Sequence, residues 1–227
     1  MSGLYLRLRY QALLLSTFRL ILALIIGLID YGMGNLHSVC CSLNRLGQNV
    51  KILKSPNEFR ECNSLILPGV GAFDPAMERL HEYGLAPALR MWASDGKPLL
   101  GICLGLQLLF DRSEEGDREG LGLIPGIVRR LPIQAGERIP HMGWVPLSVR
   151  RDCPLINASD PKSWVYFVHS YAADPYDLKT LAATAPFGCS NVTAIIWHNH
   201  IGACQFHPEK SSSAGEDILR RWIAWLN

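Results

Sequence analysis

The stretch "GICLGLQLLF" (residues 101–110) sets Cys103 between Gly101 and Gly105, where an apolar run changes from strand-like to helical period. Upstream, "PLLGIC" (98–103) reads as a fully buried strand, and a helix opening at Leu104 leaves Cys103 on the tight turn between them. Such a turn drives its central residue toward a sparsely allowed backbone region. It also crowds the positions two before and two after, where a Cβ would clash, and both are glycine here. The frame is that of the serine nucleophile elbow, G-x-S-x-G, with sulfur in place of oxygen. A helix start favours a thiolate, and the Leu104 N–H points where an oxyanion would form. Alone, the same pattern also describes a buried structural cysteine at an ordinary strand-to-helix joint.

Outward from this joint, strands and helices alternate from Leu24 onward, which predicts an α/β domain with a mostly parallel sheet flanked by helices. "ALIIGLID" is the first strand, and "NLHSVCCSLNRLG" a helix with Asn35 at its start and Gly47 just past its end. Short strands "QNVKIL" and "SLILPG" follow. "DPAMERLHEYG" then predicts a helix with Asp74 as N-cap, Pro75 at the first helical position and Gly84 as terminator. A second helix, "LAPALRMWASDG", leads back into the strand before Cys103. Beyond about residue 125 the chain turns strand-like ("GIVRRL", "WVPLSV", "WVYFVHSY", "LAATA", "VTAIIWH", "IGACQFH"), predicting extra antiparallel strands in the C-terminal half. The last helix, "AGEDILRRWIAWLN", places Ile218, Trp222 and Trp225 on one apolar face.

The 227 residues, 48% of them hydrophobic, suffice for one α/β domain with a sizeable core. A net charge of +2 without a Lys/Arg block argues against a nucleic-acid binder. Seven cysteines with no CxxC pair suit neither a disulfide framework nor a thiolate zinc site, which points to a reducing compartment. Around the apolar "LLLSTFRLILALIIGLI", Arg19 separates charge-free stretches of nine residues (Tyr10 to Phe18) and ten (Leu20 to Ile29), each short of the ~20 a bilayer requires. No A-x-A cleavage pattern follows. The expectation is an extension over 1–23 outside the domain and a domain over 24–227; a transit peptide is the alternative, since no acidic residue precedes Asp30.

A thiol nucleophile needs a base, and "QFHPE" offers His207 with Glu209 two residues on. In an extended segment, which Pro208 favours for His207, the two project to one side and can act as imidazole and orienting carboxylate. "LPGVGAFD" (67–74) has the glycines to turn a second oxyanion donor toward the sulfur. "YGMGNLH" lacks the third glycine of a dinucleotide loop, with His37 in its place. "HNH" (198–200) reads as a polar hairpin turn rather than a metal site, so no metal or cofactor is expected.

Taken together, "PGVGAF", "GICLGLQLLF" and "FHPE" resemble the triad-type (class I) glutamine amidotransferases. "IDYGMGNLHSV", "ERIPHMGW" and "YFVHSYAA" are similar to the branch that forms the glutaminase subunit of imidazole glycerol phosphate synthase, from about residue 24 to the end. The resemblance implies that Cys103 attacks the side-chain amide of glutamine, that His207 moves the protons and that Glu209 completes the triad. It implies backbone N–H groups of Val70 and Leu104 as the oxyanion hole, after rearrangement of the Gly69–Gly71 loop. Gly71, Gln107, His169, Ser170 and Tyr171 would hold the amino-acid end of the substrate. Ammonia would pass to a (β/α)8-barrel cyclase subunit in a cytoplasmic heterodimer, converting PRFAR into imidazole glycerol phosphate and AICAR in histidine biosynthesis. Asn35, His141, Met142, Gly143 and Trp144 would face that partner. Val145 stands where the family pattern leads one to expect Asn. Three other readings are weighed: the glutaminase subunit of another synthase, a stand-alone γ-glutamyl cysteine hydrolase, and a non-catalytic interaction domain.

Overall fold

Short apolar runs of five or six residues between polar joints can bury both faces only inside a sheet covered on each side, and the chain does this. The computed structural model describes residues 24–133 and 137–227; the expected extension over 1–23 lies outside the described residues. In chain order the main strands and helices are β1 (Ile25–Ile29), α1 (Leu36–Arg45), β2 (Asn49–Leu53), β3 (Ser64–Gly69), α2 (Phe73–Glu82), α3 (Leu85–Ser94), β4 (Leu99–Cys103) and α4 (Leu104–Leu108). There follow β5 (Arg112–Ser113), β6 (Gly126–Arg130), β7 (His141–Pro146), β8 (Ser148–Val149), β9 (Trp164–His169), β10 (Tyr171–Pro175), β11 (Leu181–Phe187), β12 (Ser190–His198), β13 (Ile201–Cys204) and α5 (Ser212–Leu226).

Among the described residues, the central sheet runs β2-β1-β3-β4-β13-β12-β11-β8. Its first five strands are parallel, and β12, β11 and β8 continue it antiparallel. The antiparallel strands expected in the C-terminal half thus extend the sheet, while β10-β6-β5 and β7-β9 form smaller ones. One apolar layer holds Val39 and Leu43 of α1 with Ile218, Leu219 and Trp222 of α5. The other holds Phe73, Met77 and Leu80 of α2 with Leu85 and Leu89 of α3. The hairpin expected at "HNH" is present: His198 pairs with Ile201 across a two-residue turn in which Asn199 has φ +54°.

Two expectations need correction. Asp74 does not cap α2; Ala72 holds that position, and the Asp74 carboxylate instead accepts the backbone N–H groups of Asp117 and Arg118, 43 and 44 residues away. Trp225 does not share the burial of Ile218 and Trp222. It is 38% exposed and meets Trp197 edge-on, because α5 covers the sheet with a narrower stripe than three positions require. Asn35 does cap α1, its side chain accepting the Ser38 N–H at 3.4 Å, and Gly47 lies past the helix end at φ +73°.

Strand order decides where chemistry can occur. β3, β4 and β13 are adjacent and parallel, so the segments after their C-terminal ends sit side by side. Those segments are the Gly69–Gly71 loop, the Cys103 turn and "QFHPE". Ligand crevices of open parallel sheets form at such edges.

Candidate active site

Cys103 occupies φ +56°, ψ −111°, a conformation that L-residues rarely adopt and that the flanking packing holds in place. A Cβ on Gly101 would come within 2.9 Å of the Gly105 carbonyl oxygen and 3.0 Å of Leu106 Cα. A Cβ on Gly105 would sit 1.8 Å from the Leu67 carbonyl oxygen of β3. The two glycines therefore answer to different neighbours: Gly101 lets the turn close on itself, and Gly105 lets it close against the next strand. The cysteine is 6% exposed and lines a cavity of about 300 Å³ with Leu104, Gln107 and His207.

His207 stands beyond β13 with φ −98°, ψ 98°, extended as Pro208 predicts. Glu209 is already inside a single 3-10 turn (Pro208–Lys210), so the two side chains meet through the turn rather than by strand alternation. His207 Nδ1 and Glu209 Oε1 are 2.8 Å apart, with both side chains at most 3% exposed. Burial opposes charge on this imidazole. Hydrogen bonds to Cys103 and Glu209, and the charges of both, outweigh that and push its pKa up to about 10. The ring can thus hold a proton beside the sulfur at neutral pH.

Gln107 and the 169–171 segment form another wall. Gln107 Nε2 donates to the Tyr171 carbonyl at 2.9 Å and to Gln205 Oε1 at 3.1 Å, so its amide does return toward the cavity as expected from its place in α4. His169 Nδ1 lies 2.8 Å from the Tyr171 carbonyl, and its Nε2 lies 3.2 Å from His141 Nδ1. A carbonyl only accepts, so His169 carries its hydrogen on Nδ1, and its Nε2 accepts from His141. Both nitrogens are occupied, leaving the ring a wall element. Burial pushes its pKa down to about 4, with His141 and His207 adding to the effect and the Tyr171 carbonyl opposing it.

Sequence reasoning missed Glu115. Its carboxylate lines the cavity and accepts the Phe73 N–H at 2.8 Å, tying the wall to the start of α2. The only signal was "SEEGD" shortly after the elbow helix, which alone reads as a solvated acidic run.

Val70, Gly71 and Ser170 also line the cavity, as expected. The Val70 N–H, however, donates to the Met33 carbonyl at 3.1 Å, so the oxyanion hole expected from Val70 and Leu104 is not assembled in this conformation. Tyr31 holds the same loop from beneath, its hydroxyl donating to the Pro68 carbonyl at 2.9 Å.

The β7-β9 ribbon carries most of the expected interface residues. Met142 and Trp144 are 60% and 48% exposed, and Trp144 meets Tyr166 edge-on. His141 is a correction. It is buried, stacked on Phe167 and packed against Phe187 and His169, so it supports the ribbon from inside.

Comparison with known proteins identifies the family. The family model for class-I glutamine amidotransferases matches residues 27–224. The chain is 58% identical over 202 residues to imidazole glycerol phosphate synthase subunit HisH of Synechococcus sp. (strain CC9902), covering 89% of this chain and 95% of that protein. It is 60% identical over 201 residues to subunit HisH 2 of Parasynechococcus marenigrum (strain WH8102), covering 88% and 95%. Among solved structures, PurLQS from Thermotoga maritima superposes with a TM-score of 0.70 at 18% identity, covering 90% of this chain and 100% of that one. A glutamine amidotransferase from the same organism gives 0.62 at 15%, covering 90% and 98%. With an elbow cysteine, a carboxylate-paired imidazole and relatives of this similarity along nearly its whole described length, the chain belongs to the class-I glutamine amidotransferase family.

Proposed function

We propose that this protein is the glutaminase subunit of an imidazole glycerol phosphate synthase. It hydrolyses L-glutamine to L-glutamate and ammonia, which passes to a partner cyclase in histidine biosynthesis. The observation that carries the chemistry is the convergence of Cys103 and His207 at one cavity from two distant parts of the chain, with Glu209 paired behind the imidazole. The partner comes from the likeness to HisH subunits.

Cys103 Sγ, its proton held by His207, attacks the side-chain carbonyl carbon of glutamine and forms a C–S bond. His207 then gives its proton to the departing nitrogen, the C–N bond breaks, and ammonia leaves behind a thioester. Next, His207 takes a proton from water as the water oxygen attacks the thioester, and the returned thiolate completes the cycle. Glu209 fixes the imidazole's orientation and steadies its charged form. The Glu115 carboxylate matches the substrate's ammonium group by charge, with Gly71, Gln107, Ser170 and Tyr171 around it. For His169 the reading shifts to its backbone, since its ring nitrogens are engaged.

The negative charge on the former carbonyl oxygen needs two N–H donors, those of Leu104 and Val70. The Met33 bond must therefore break before turnover is fast. Met33 lies two residues from Asn35, an interface candidate with Met142, Gly143 and Trp144, so docking of the cyclase is placed to release it. Ammonia freed into bulk water would mostly become ammonium, a poor nucleophile, which gives direct transfer its value. Among the described residues no helix is long and apolar enough to cross a membrane, and a cytoplasmic heterodimer suits the reading. In it the domain spans 24–227 with residues 1–23 outside, supported by a family match that begins at residue 27.

The test is glutamate formation with and without the cyclase and its nucleotide ligand, for the parent and for Cys103→Ala. Low activity alone, large stimulation together and none in the variant are expected. Partner-stimulated turnover by Cys103→Ala would overturn the mechanism.

A further inference from the structure

Gln205 is fully buried against Gln107 and Cys103, both of which line the cavity, and neither the elbow nor the His207–Glu209 pair accounts for it. Its backbone lies just past the end of β13, the N–H donating to the Ala194 carbonyl of β12 at 2.9 Å. Its side chain lies between two groups of the site. Oε1 faces Gln107 Nε2 at 3.1 Å, and Nε2 faces Cys103 Sγ at 3.9 Å.

The two ends of an amide side chain look alike, so their orientation must come from chemistry. Here a main-chain carbonyl settles it. Tyr171 O can only accept, so the Gln107 atom that faces it at 2.9 Å is the NH2 group. The same NH2 faces Gln205, which must therefore present its oxygen. The other end of Gln205, turned toward the sulfur, is then an N–H donor. A fixed carbonyl thus sets two buried amides in series and ends in a donor aimed at the nucleophile.

We propose that Gln205 is a positioning residue for the Cys103 thiolate, supplying the anion with a second donor besides His207 and joining it to the substrate-holding Gln107. When the sulfur gives its proton to His207, an anion only 6% exposed gains from more than one partner. Gln205 provides one that never titrates, so it favours the anion without competing for the proton. Its oxygen also uses an Nε2 hydrogen of Gln107, and the Tyr171 carbonyl uses the other. What Gln107 can still offer a ligand is its carbonyl oxygen, an acceptor suited to an ammonium group. The inference rests on Cys103 being the nucleophile of the proposed function.

The experiment follows alkylation of Cys103 by iodoacetamide against pH in the full chain, reading the Cys103 peptide by mass spectrometry. The parent is compared with Gln205→Leu, which removes the donor, and Gln205→Glu, which sets an acceptor against the sulfur. The alkylation midpoint is expected to rise by about half a unit in the first variant and about one unit or more in the second. Partner-stimulated kcat on glutamine should fall by about 10-fold or more. A Gln205 that merely filled space would lower Tm and leave the alkylation profile unmoved, and a folded variant with the parent's profile overturns the proposal. Should both variants fail to fold, the side-chain amide resonance of Gln205 in the 15N-labelled parent is compared with that in Cys103→Ala. A shift on losing the sulfur supports the contact, and coincident resonances overturn it. If the parent fails to hydrolyse glutamine even with the cyclase, the function falls, while alkylation still decides the role of Gln205.

Discussion

His207 and His169 line the same cavity and are both buried, yet their proton affinities are driven in opposite directions, one up to about 10 and the other down to about 4. Burial alone lowers both. The reversal comes from company: His207 faces a carboxylate and a thiol, each able to carry negative charge, whereas His169 faces a carbonyl and a second imidazole. In one pocket the structure thus separates a ring that keeps a proton from a ring that refuses one. This separation assigns the proposed acid–base role to His207 and leaves His169 as neutral scaffolding.

The harshest test of that division is to delete each ring in turn. His207→Ala should reduce partner-stimulated glutamine turnover by about 10³-fold or more, as loss of a triad base does. His169→Phe should cost distinctly less; equal losses in steady-state kinetics would erase the distinction. The next effect is on stability. Because the folded value of His169 lies near 4, below its ordinary 6.5, the unfolded chain takes up a proton that the folded one refuses between those pH values. Stability therefore falls as pH drops through that window, by about 3 kcal/mol. Urea unfolding at pH 7 and pH 4 should show the parent losing about that much more than His169→Phe. For His207 the sign is opposite: its contribution is full below about 6.5 and is lost as pH rises through about 10.

Glu209→Gln sharpens the comparison by removing charge without shape. It should lower kcat by about 10²-fold and move the His207 titration, followed by NMR, toward the ordinary histidine range. An unmoved titration would mean that the carboxylate is not what holds the proton. The smallest effect is on the outer face of the ribbon backed by His141. Trp144→Ala should weaken binding of the cyclase by about 10-fold, read by titration calorimetry, and unchanged affinity would remove this tryptophan from the proposed interface.

The parallel sheet, the elbow and the imidazole–carboxylate pair were legible because each is written locally. Glycines flank a cysteine, apolar runs end in turn residues, and a proline forces extension before the 3-10 turn. What escaped depends on distance and register. His141 and His169 are directly opposite on β7 and β9, and nothing in "PHMGW" or "VHSY" says that these strands pair in that register. Glu115 joins the site only because α2 begins beside it, 42 residues earlier in the chain. The hydrogen bond between Val70 and Met33 connects two glycine-rich loops whose sequences are equally compatible with a free N–H. Asp74 misled for the same reason, since a carboxylate near a helix start reads as its cap until a distant loop offers better donors.

Strand β13 is inserted between β4 and β12, and it carries the base to the sulfur. A ribosome that has finished β4 has therefore made the thiol, and almost a hundred more residues must emerge before β13, the strand that precedes His207, begins. The pairing of thiol and imidazole is complete only when the last strand takes its place between β4 and β12.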